Sequence, residues 1–310
     1  MITTVTLNAS IDKAYHMNEA IENGRVMRVA YCSNTAGGKG LNVARVVALC
    51  GSDVRATGLV GGYNGSYLES LLDADGIRHG FGHVKSETRS CINILDPKYG
   101  STEYLEPGRK IEAEEMRNFL DRVFPEQIEE SDVVVFSGSA PEGAGKDIYA
   151  RLIEKARGNG RKVILDTSGD LLIEGMKAGP DLVKPNQEEL GALFHVTIES
   201  EEEIIRYGEK LHRTGIPFVV ISLGGNGAVM ICEKGVFHAK SPKIQVVNTV
   251  GCGDSMVGAF AVAFERNMDP QEALKFAVSV GSANAMSPDT GNFDPEVQKK
   301  LFSETTVERI

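Results

Sequence analysis

Short runs of aliphatic and β-branched residues alternate along this chain with stretches in which apolar residues recur every three or four positions. The first pattern predicts buried strands and the second amphipathic helices. The strand-like runs are TVTL, VRATGLVG, VVVFSG, KVILDTSG, DLVKPN, FVVISLGG and AVMICE. Helices are expected over Leu41–Leu49, near Ser66–Asp73 and near Lys146–Arg157. A further β-like run, KIQVVN (Lys243–Asn248), leads into a helix over Ser255–Arg266. Alternation of this kind predicts a parallel sheet covered by helices on both faces. Late helices carry start signals. Ser200 with Glu203 reads as a capping box, and Asp269-Pro270 and Asp294-Pro295 each place a cap before a proline in the first turn.

Two stretches break the alternation. Ile11–Asn34 has no clear helix and mixes Tyr15, Met17, Val26, Met27, Val29 and Tyr31 with polar residues. Arg89–Pro107 reads as a hairpin, CINILD then TEYLE, joined by PKYGS. Both fit strands that leave the main sheet as a small flap over a site, and both equally fit edge strands and loops.

Composition narrows the class. A chain of 310 residues can bury one large core, with or without a small appendage. Its 42% hydrophobic and 25% charged residues are ordinary for a globular protein. No apolar run is long enough to span a bilayer. MITTVTLNASIDK reads as a strand, not a signal peptide. The five cysteines, Cys32, Cys50, Cys91, Cys232 and Cys252, are scattered, which points to reduced thiols in a cytoplasm and away from a zinc site or disulfide framework. A net charge of −10 argues against nucleic acid as a partner. An anionic substrate must then be held by local N–H groups, Arg and Lys, because charges beyond about 8 Å are largely screened.

The most informative stretch is NTVGCGDSMVGAF, Asn248–Phe260. Gly251, Cys252 and Gly253 precede a helix whose first N–H groups have no internal partner and form a ready anion site. A carboxylate there makes sense if Asp254 takes a proton from a hydroxyl attacking phosphorus. The plainer alternative is a Gly-Cys-Gly turn with Asp254 as helix cap.

Other stretches carry candidate chemistry. Gly37, Gly38 and Gly40 precede a helix, with Lys39 among them and Asn42 able to meet sugar hydroxyls; neither a Walker A loop nor GxGxxG is present. In DLVKPNQEEL, Asn186 and Glu189 share a helix face. Glu189 there is either dipole-complementary or an organiser of Mg²⁺ and its waters. ISLGGNGA is a hairpin turn or a nucleotide rest. Arg89, with Arg25, Arg28 and Lys39, is a candidate for a phosphate carried by the substrate; for Arg25 a plain surface role fits better.

Together these motifs resemble the ribokinase-like sugar kinases of the phosphofructokinase-B type, over essentially the whole chain. GGKGLNVARVVALCG is similar to the family's N-terminal glycine signature and NTVGCGDSMVGA to its GxGD signature. KPNQEE resembles its Asn-x-x-Glu motif, and SLGGNG its nucleotide loop. LNASIDKAY, TAGGKGLN, ETRSCINI, TEYLEPG and FSGSAPEG resemble the branch that phosphorylates ketohexose phosphates, the 1-phosphofructokinases and tagatose-6-phosphate kinases.

The resemblance implies one α/β/α kinase domain over residues 1–310, with a mostly parallel central sheet and a small β lid from about 11–34 and 89–107. It implies ATP and Mg²⁺, a sugar phosphate as substrate, a cytoplasmic homodimer clasped through the lid, and no membrane partner. Residue by residue, it makes Asp254 the general base, with Gly251, Cys252 and Gly253 offering N–H groups to the transferred phosphoryl. Asp12, Gly38, Lys39 and Asn42 hold the sugar. Arg89, with Arg28 and Ser139, holds its existing phosphate. Lys184, Asn186, Ser222, Gly224 and Gly227 line the nucleotide, with Asn284 near adenine or ribose. Asn186, Glu189 and Asp166 join the Mg²⁺ and phosphate network, the metal contact running through water. Cys252 departs from the family's usual Ala or Ser, a change small enough to keep an anion hole. Fructose 1-phosphate is the first expectation and tagatose 6-phosphate the second, each giving a 1,6-bisphosphate. A sugar-phosphate sensor on a kinase fold is the alternative of another class.

Overall fold

In the computed structural model, which describes residues 1–310, VVVFS at 133–137 shows why the central sheet forms. Val133 and Val135 enter one apolar core, and Val134 and Phe136 enter another on the opposite face. Side chains alternate across a strand, so a strand apolar at every position is buried on both faces.

Fifteen strands form. They are Ile2–Thr6 (β1), Ser10–His16 (β2), Tyr31–Gly37 (β3), Val54–Gly61 (β4), Arg78–His79 (β5), Gly82–Val84 (β6), Arg89–Asp96 (β7) and Gly100–Leu105 (β8). Then come Val133–Ser137 (β9), Lys162–Asp166 (β10), Leu182–Val183 (β11), Phe218–Ser222 (β12), Ala228–Cys232 (β13), Gly235–Lys240 (β14) and Thr306–Arg309 (β15). The main sheet has 11 strands in the order β15-β14-β13-β12-β11-β10-β9-β1-β4-β5, with β6 also on β4. From β4 through β1 and β9 to β12 the pairing is parallel, and the β12–β15 edge is antiparallel. β4 and β9 lie on opposite sides of β1. The order in which strands are added therefore reverses there, and a crevice opens beyond the strands' carboxyl ends.

Helices cover both faces. One core includes Leu41, Val257, Phe260 and Leu274. The other includes Phe119, Tyr149, Leu190 and Leu211. The second sheet has four strands, β3-β2-β7-β8. Its β7–β8 pair is the expected hairpin, and β2 and β3 come from the Ile11–Asn34 stretch.

Local signals explain the helix boundaries. Asp269 and Asp294 cap as expected, accepting from Gln271 N at 3.1 Å and Glu296 N at 2.8 Å. Ser200 caps Glu203 N at 3.3 Å, but the Glu203 carboxylate returns to Glu199 N at 3.0 Å, so the box closes one residue early. Lys243–Asn248 is not a strand. It offers no edge to the sheet; instead Val247 N and Asn248 N donate to Ala285 O at the end of the Pro270–Ala285 helix, at 2.8 and 3.2 Å. Apolar alternation without a strand edge to pair with leaves Val246 and Val247 more than half exposed. All five cysteines are free, and no helix is long and apolar enough to cross a membrane.

Candidate active site

The expected Ser255–Arg266 helix begins three residues early, at Cys252, and runs to Glu265. Its N-cap is Gly251, in the left-handed region at φ 79°, and Gly251 O accepts from Ser255 N at 2.8 Å. Asp254 therefore stands inside the first turn and does not cap. Gly251, Gly253 and Asp254 have N–H groups without a protein acceptor, while Cys252 N makes only a long bond to Thr249 O at 3.4 Å. A helix N-terminus with free donors is positively polarised.

Asp254 is 7% exposed. Burial pushes its carboxyl above the usual aspartate range, Lys39 opposes that, and nearby Asp166 adds to it. One oxygen, Oδ2, accepts from Asn42 Nδ2 at 2.8 Å. A carboxylate with raised proton affinity and an oxygen to spare suits a general base.

Asp166, at the end of β10, lies below this turn. Its Oδ1 is 3.4 Å from Lys184 Nζ and its Oδ2 is 3.7 Å from Lys39 Nζ. Burial alone would raise the Asp166 pKa, but the two ammonium groups outweigh it and hold the carboxyl below the usual range. The same contact, with Asp166 the largest influence, raises Lys39 to about 12. A Cβ on Gly253 would lie 3.4 Å from Lys184 Nζ, so this ammonium flanks the free N–H groups.

Asn186 and Glu189 close a true capping box at the start of the Gln187–Phe194 helix. Asn186 Oδ1 accepts from Glu189 N at 2.8 Å, and Glu189 Oε2 accepts from Asn186 N at 2.9 Å. Both residues line the cleft. No group of three or more acidic, His or Cys side chains converges as a metal cage. Two separated carboxylates, Asp166 and Glu189, fit a Mg²⁺ ion that keeps its waters and is held largely by phosphate.

Also lining the cleft, Asp12 on β2 accepts from Ser10 Oγ at 2.6 Å. A Cβ on Gly37 would overlap the Asp12 carboxylate, so a side chain there would displace it. Ser139, after β9, accepts from Asn8 Nδ2 at 3.0 Å. Arg89 donates from Nε and one terminal nitrogen to Asn8 O, at 3.2 and 3.1 Å, and from the other to Glu106 O at 2.9 Å. A guanidinium has five N–H donors, so two remain, and Arg89 lines the cleft.

The residues expected at the nucleotide also line the cleft, Ser222 at the end of β12 and Gly224 and Gly227 just after it. Gly227 has φ +87° and its α-carbon faces Ala239 O so closely that any side chain would clash.

One cavity of about 1220 Å³ joins these regions. It contains Asp12, Gly38, Lys39, Asn42, Arg89, Ser139, Asp166, Lys184, Asn186, Glu189, Ser222, Gly224, Gly227 and the 251–254 turn. Two expected residues are elsewhere. Arg28 is exposed on the irregular 17–30 segment and does not line the cavity; no strand pairing draws that segment inward. Asn284 is fully buried behind the turn, donating to Val250 O at 3.1 Å and Cys252 Sγ at 3.4 Å and accepting from Gly291 N at 2.9 Å. It shapes the loop from behind and does not face the cavity.

Asn8 and Arg45 were not foreseen. Asn8 bridges Ser139 and Arg89 from the turn after β1. Arg45 lies three residues after Asn42 on the Lys39–Leu49 helix and donates to its Oδ1 at 2.5 Å. The i, i+3 spacing was a visible signal for that pair.

A mostly parallel sheet between helical layers, a small sheet beside the cavity, and a buried aspartate behind a glycine-capped helix start define a ribokinase-like sugar kinase. Residues 5–297 match the pfkB family carbohydrate kinase model, and the chain belongs to that family. It is an ATP-dependent sugar kinase. It is 35% identical over 310 residues to 1-phosphofructokinase of Bacillus subtilis (strain 168), covering 100% of both chains. It is 36% identical over 312 residues to tagatose-6-phosphate kinase of Staphylococcus epidermidis, covering 99% of each. The crystal structure of Escherichia coli phosphofructokinase-2 in complex with potassium superposes with TM-score 0.92 at 30% identity, covering 98% of each chain. Ribokinase from Thermotoga maritima, at TM-score 0.77 and 20% identity over 98% of this chain and 99% of its own, shares the fold.

Proposed function

We propose that this kinase transfers the γ-phosphoryl of ATP to a ketohexose that already carries one phosphate, giving a 1,6-bisphosphate. Fructose 1-phosphate is the first choice and tagatose 6-phosphate the second; both relatives named above act on a ketohexose phosphate by their names. The observation that carries the reading is one cavity lined both by a base at an anion site and by a separate cation with free donors. Asp254 lies at the free N–H groups of the helix start. Arg89 lines the same cavity with two unused donors.

In this reading Asp254 accepts the hydroxyl proton as the sugar oxygen attacks the γ-phosphorus, and ADP leaves. The N–H groups of Gly251 and Gly253, with Lys184 and Lys39, take up charge on the transferred group. Asp166 and Glu189 would hold Mg²⁺ through water, and the ion would supply neutralisation of phosphate charge. Asp12, Gly38 and Asn42 orient the sugar. Ser139 and Arg89 hold its phosphate, and Ser222, Gly224 and Gly227 carry the nucleotide. The whole chain is one kinase domain. The β2, β3, β7 and β8 sheet, within about 11–34 and 89–107, acts as its lid. Exposed Tyr31, Tyr99 and Tyr104 on that lid suit a homodimer contact.

The test is ADP release from ATP and Mg²⁺ with fructose 1-phosphate, tagatose 6-phosphate, fructose 6-phosphate and free fructose, each separately. We expect kcat/KM for one phosphorylated ketose at least ~100-fold above free fructose, equivalent to about 2.7 kcal/mol. A preference for free fructose would remove the second anion site from the reading.

A further inference from the structure

We propose that Arg45 is a positioning residue for the reaction: its guanidinium fixes which way the Asn42 amide points, and that amide fixes which oxygen of Asp254 takes the proton. The inference rests on the reading of Asp254 as the base.

The geometry is a relay of three side chains from two helices. Arg45 donates from one terminal nitrogen to Asn42 Oδ1 at 2.5 Å and from the other to Ala36 O at 2.6 Å. Asn42 then donates from Nδ2 to Asp254 Oδ2 at 2.8 Å. The two ends of an asparagine amide are nearly the same shape but opposite in hydrogen bonding. Arginine only donates, so with Arg45 in place the amide oxygen must face it and the amide nitrogen must face Asp254. That ties down Oδ2 and leaves the other carboxylate oxygen to the substrate hydroxyl. Without Arg45 only the charge on Asp254 selects this orientation, and once that carboxyl is protonated the amide can flip and accept from it. A flipped amide would set its oxygen against the carboxylate and repel it.

The charge of Arg45 supports the same role. No carboxylate lies within ion-pair distance of it; its bonded partners are an amide oxygen and a main-chain carbonyl. Arg45 is partly buried, and a cation that loses hydration without a carboxylate in contact is costly. It is surrounded at longer range by Asp75, Asp12, Asp254 and Asp289. Ala36 belongs to β3, so Arg45 also ties the root of the small sheet to the helix that carries Asn42. A merely structural staple would account for that tie alone.

The readout that separates the two is the pH dependence of kcat. The charged groups that face Asp254 are Lys39, Lys184 and Asp166, with Arg45 behind Asn42. Removing the Arg45 cation and freeing the amide both make Asp254 hold its proton more tightly, so the acid limb of kcat should move to higher pH.

The experiment compares full-length wild type, Arg45→Met, Arg45→Lys and Asp254→Asn. Arg45→Met should lower kcat by ~10-fold or more, keep KM for ATP within about twofold, and move the acid limb upward. Arg45→Lys retains the charge but loses one of the two contacts, and should be intermediate in both. An acid limb at the wild-type pH in Arg45→Met, whatever the fall in kcat or melting temperature, makes Arg45 a staple and overturns the proposal. Should that variant fail to fold, a wild-type kcat and limb in Arg45→Lys overturns it instead. Asp254→Asn with wild-type kcat would show that the base reading itself had failed, a distinct result.

Discussion

Lys184 and Asp166 form a buried ion pair in the cleft, Nζ to Oδ1 at 3.4 Å, with side chains 5% and 3% exposed. Lys39 approaches the other carboxylate oxygen from the more open side. Two cations on one carboxylate leave a net positive charge facing the helix start, which suits the phosphates of ATP. Lys184→Met should raise KM for ATP. It should also destabilise the fold by about 3 kcal/mol, the lower end for a broken buried pair because Lys39 remains. The Asp166 pKa is lowered in the fold, so its stabilisation is present above the ordinary value of 3.8 and is lost as pH falls through the lowered one. The difference between Lys184→Met and wild type in urea unfolding should therefore be large at neutral pH and shrink below 3.8. An equal difference at both would show that the methionine acts by packing.

Asp254 carries the opposite shift. Burial raises its pKa, so the stability it contributes is fully present below 3.8 and is lost as pH rises through the raised value. At neutral pH its charge is a cost to the fold. Asp254→Asn should thus raise the melting temperature at pH 7 while kcat falls by at least ~100-fold. Substrate binding, followed by calorimetry, should be largely kept. Unchanged kcat would end its assignment as base.

Arg89→Ala should raise KM for the sugar phosphate and leave KM for ATP unchanged, because the charge-assisted bond that is lost is to the phosphate of the sugar. Steady-state kinetics with each substrate varied in turn decide it. An equal rise for both would mean that the loss of the Asn8 and Glu106 carbonyl contacts had distorted the whole cleft.

Gly251 has φ 79°, and a Cβ there would stand 2.5 Å from Thr290 Cγ2. Gly251→Ala should cost about 1–2 kcal/mol in unfolding free energy from backbone handedness alone. It should lower kcat by ~10-fold or more, since one misplaced donor of this kind is worth about 2.7–4 kcal/mol. A stability loss with full kcat would remove the Gly251 N–H from the site.

Much of the architecture was legible because it is written in local patterns. Doubly buried strands such as Val133 to Phe136 are apolar at every position, and caps such as Asp269 and Asp294 satisfy N–H groups two residues away. Asn186 and Glu189 are readable for the same reason: their reciprocal bonds span three residues. KIQVVN misled because alternation reports which side chains could share a face, while a strand also needs a neighbouring edge, and Ala285 O took those N–H groups instead.

The sequence by itself determined the layered fold, the glycine turns and the residue types at the reaction centre, since these follow from periodicity, handedness and short-range bonding. Tertiary structure alone decided which distant groups meet. Asn42 reaches Asp254 across 212 residues of chain. Arg28 falls outside the cavity and Asn284 behind its wall. Lys39 and Lys184 hold the Asp166 carboxyl low, and Asp166 holds Lys39 high, only because three separate strand and helix ends converge. Such effects depend on distance and burial, quantities that spacing along the chain does not carry.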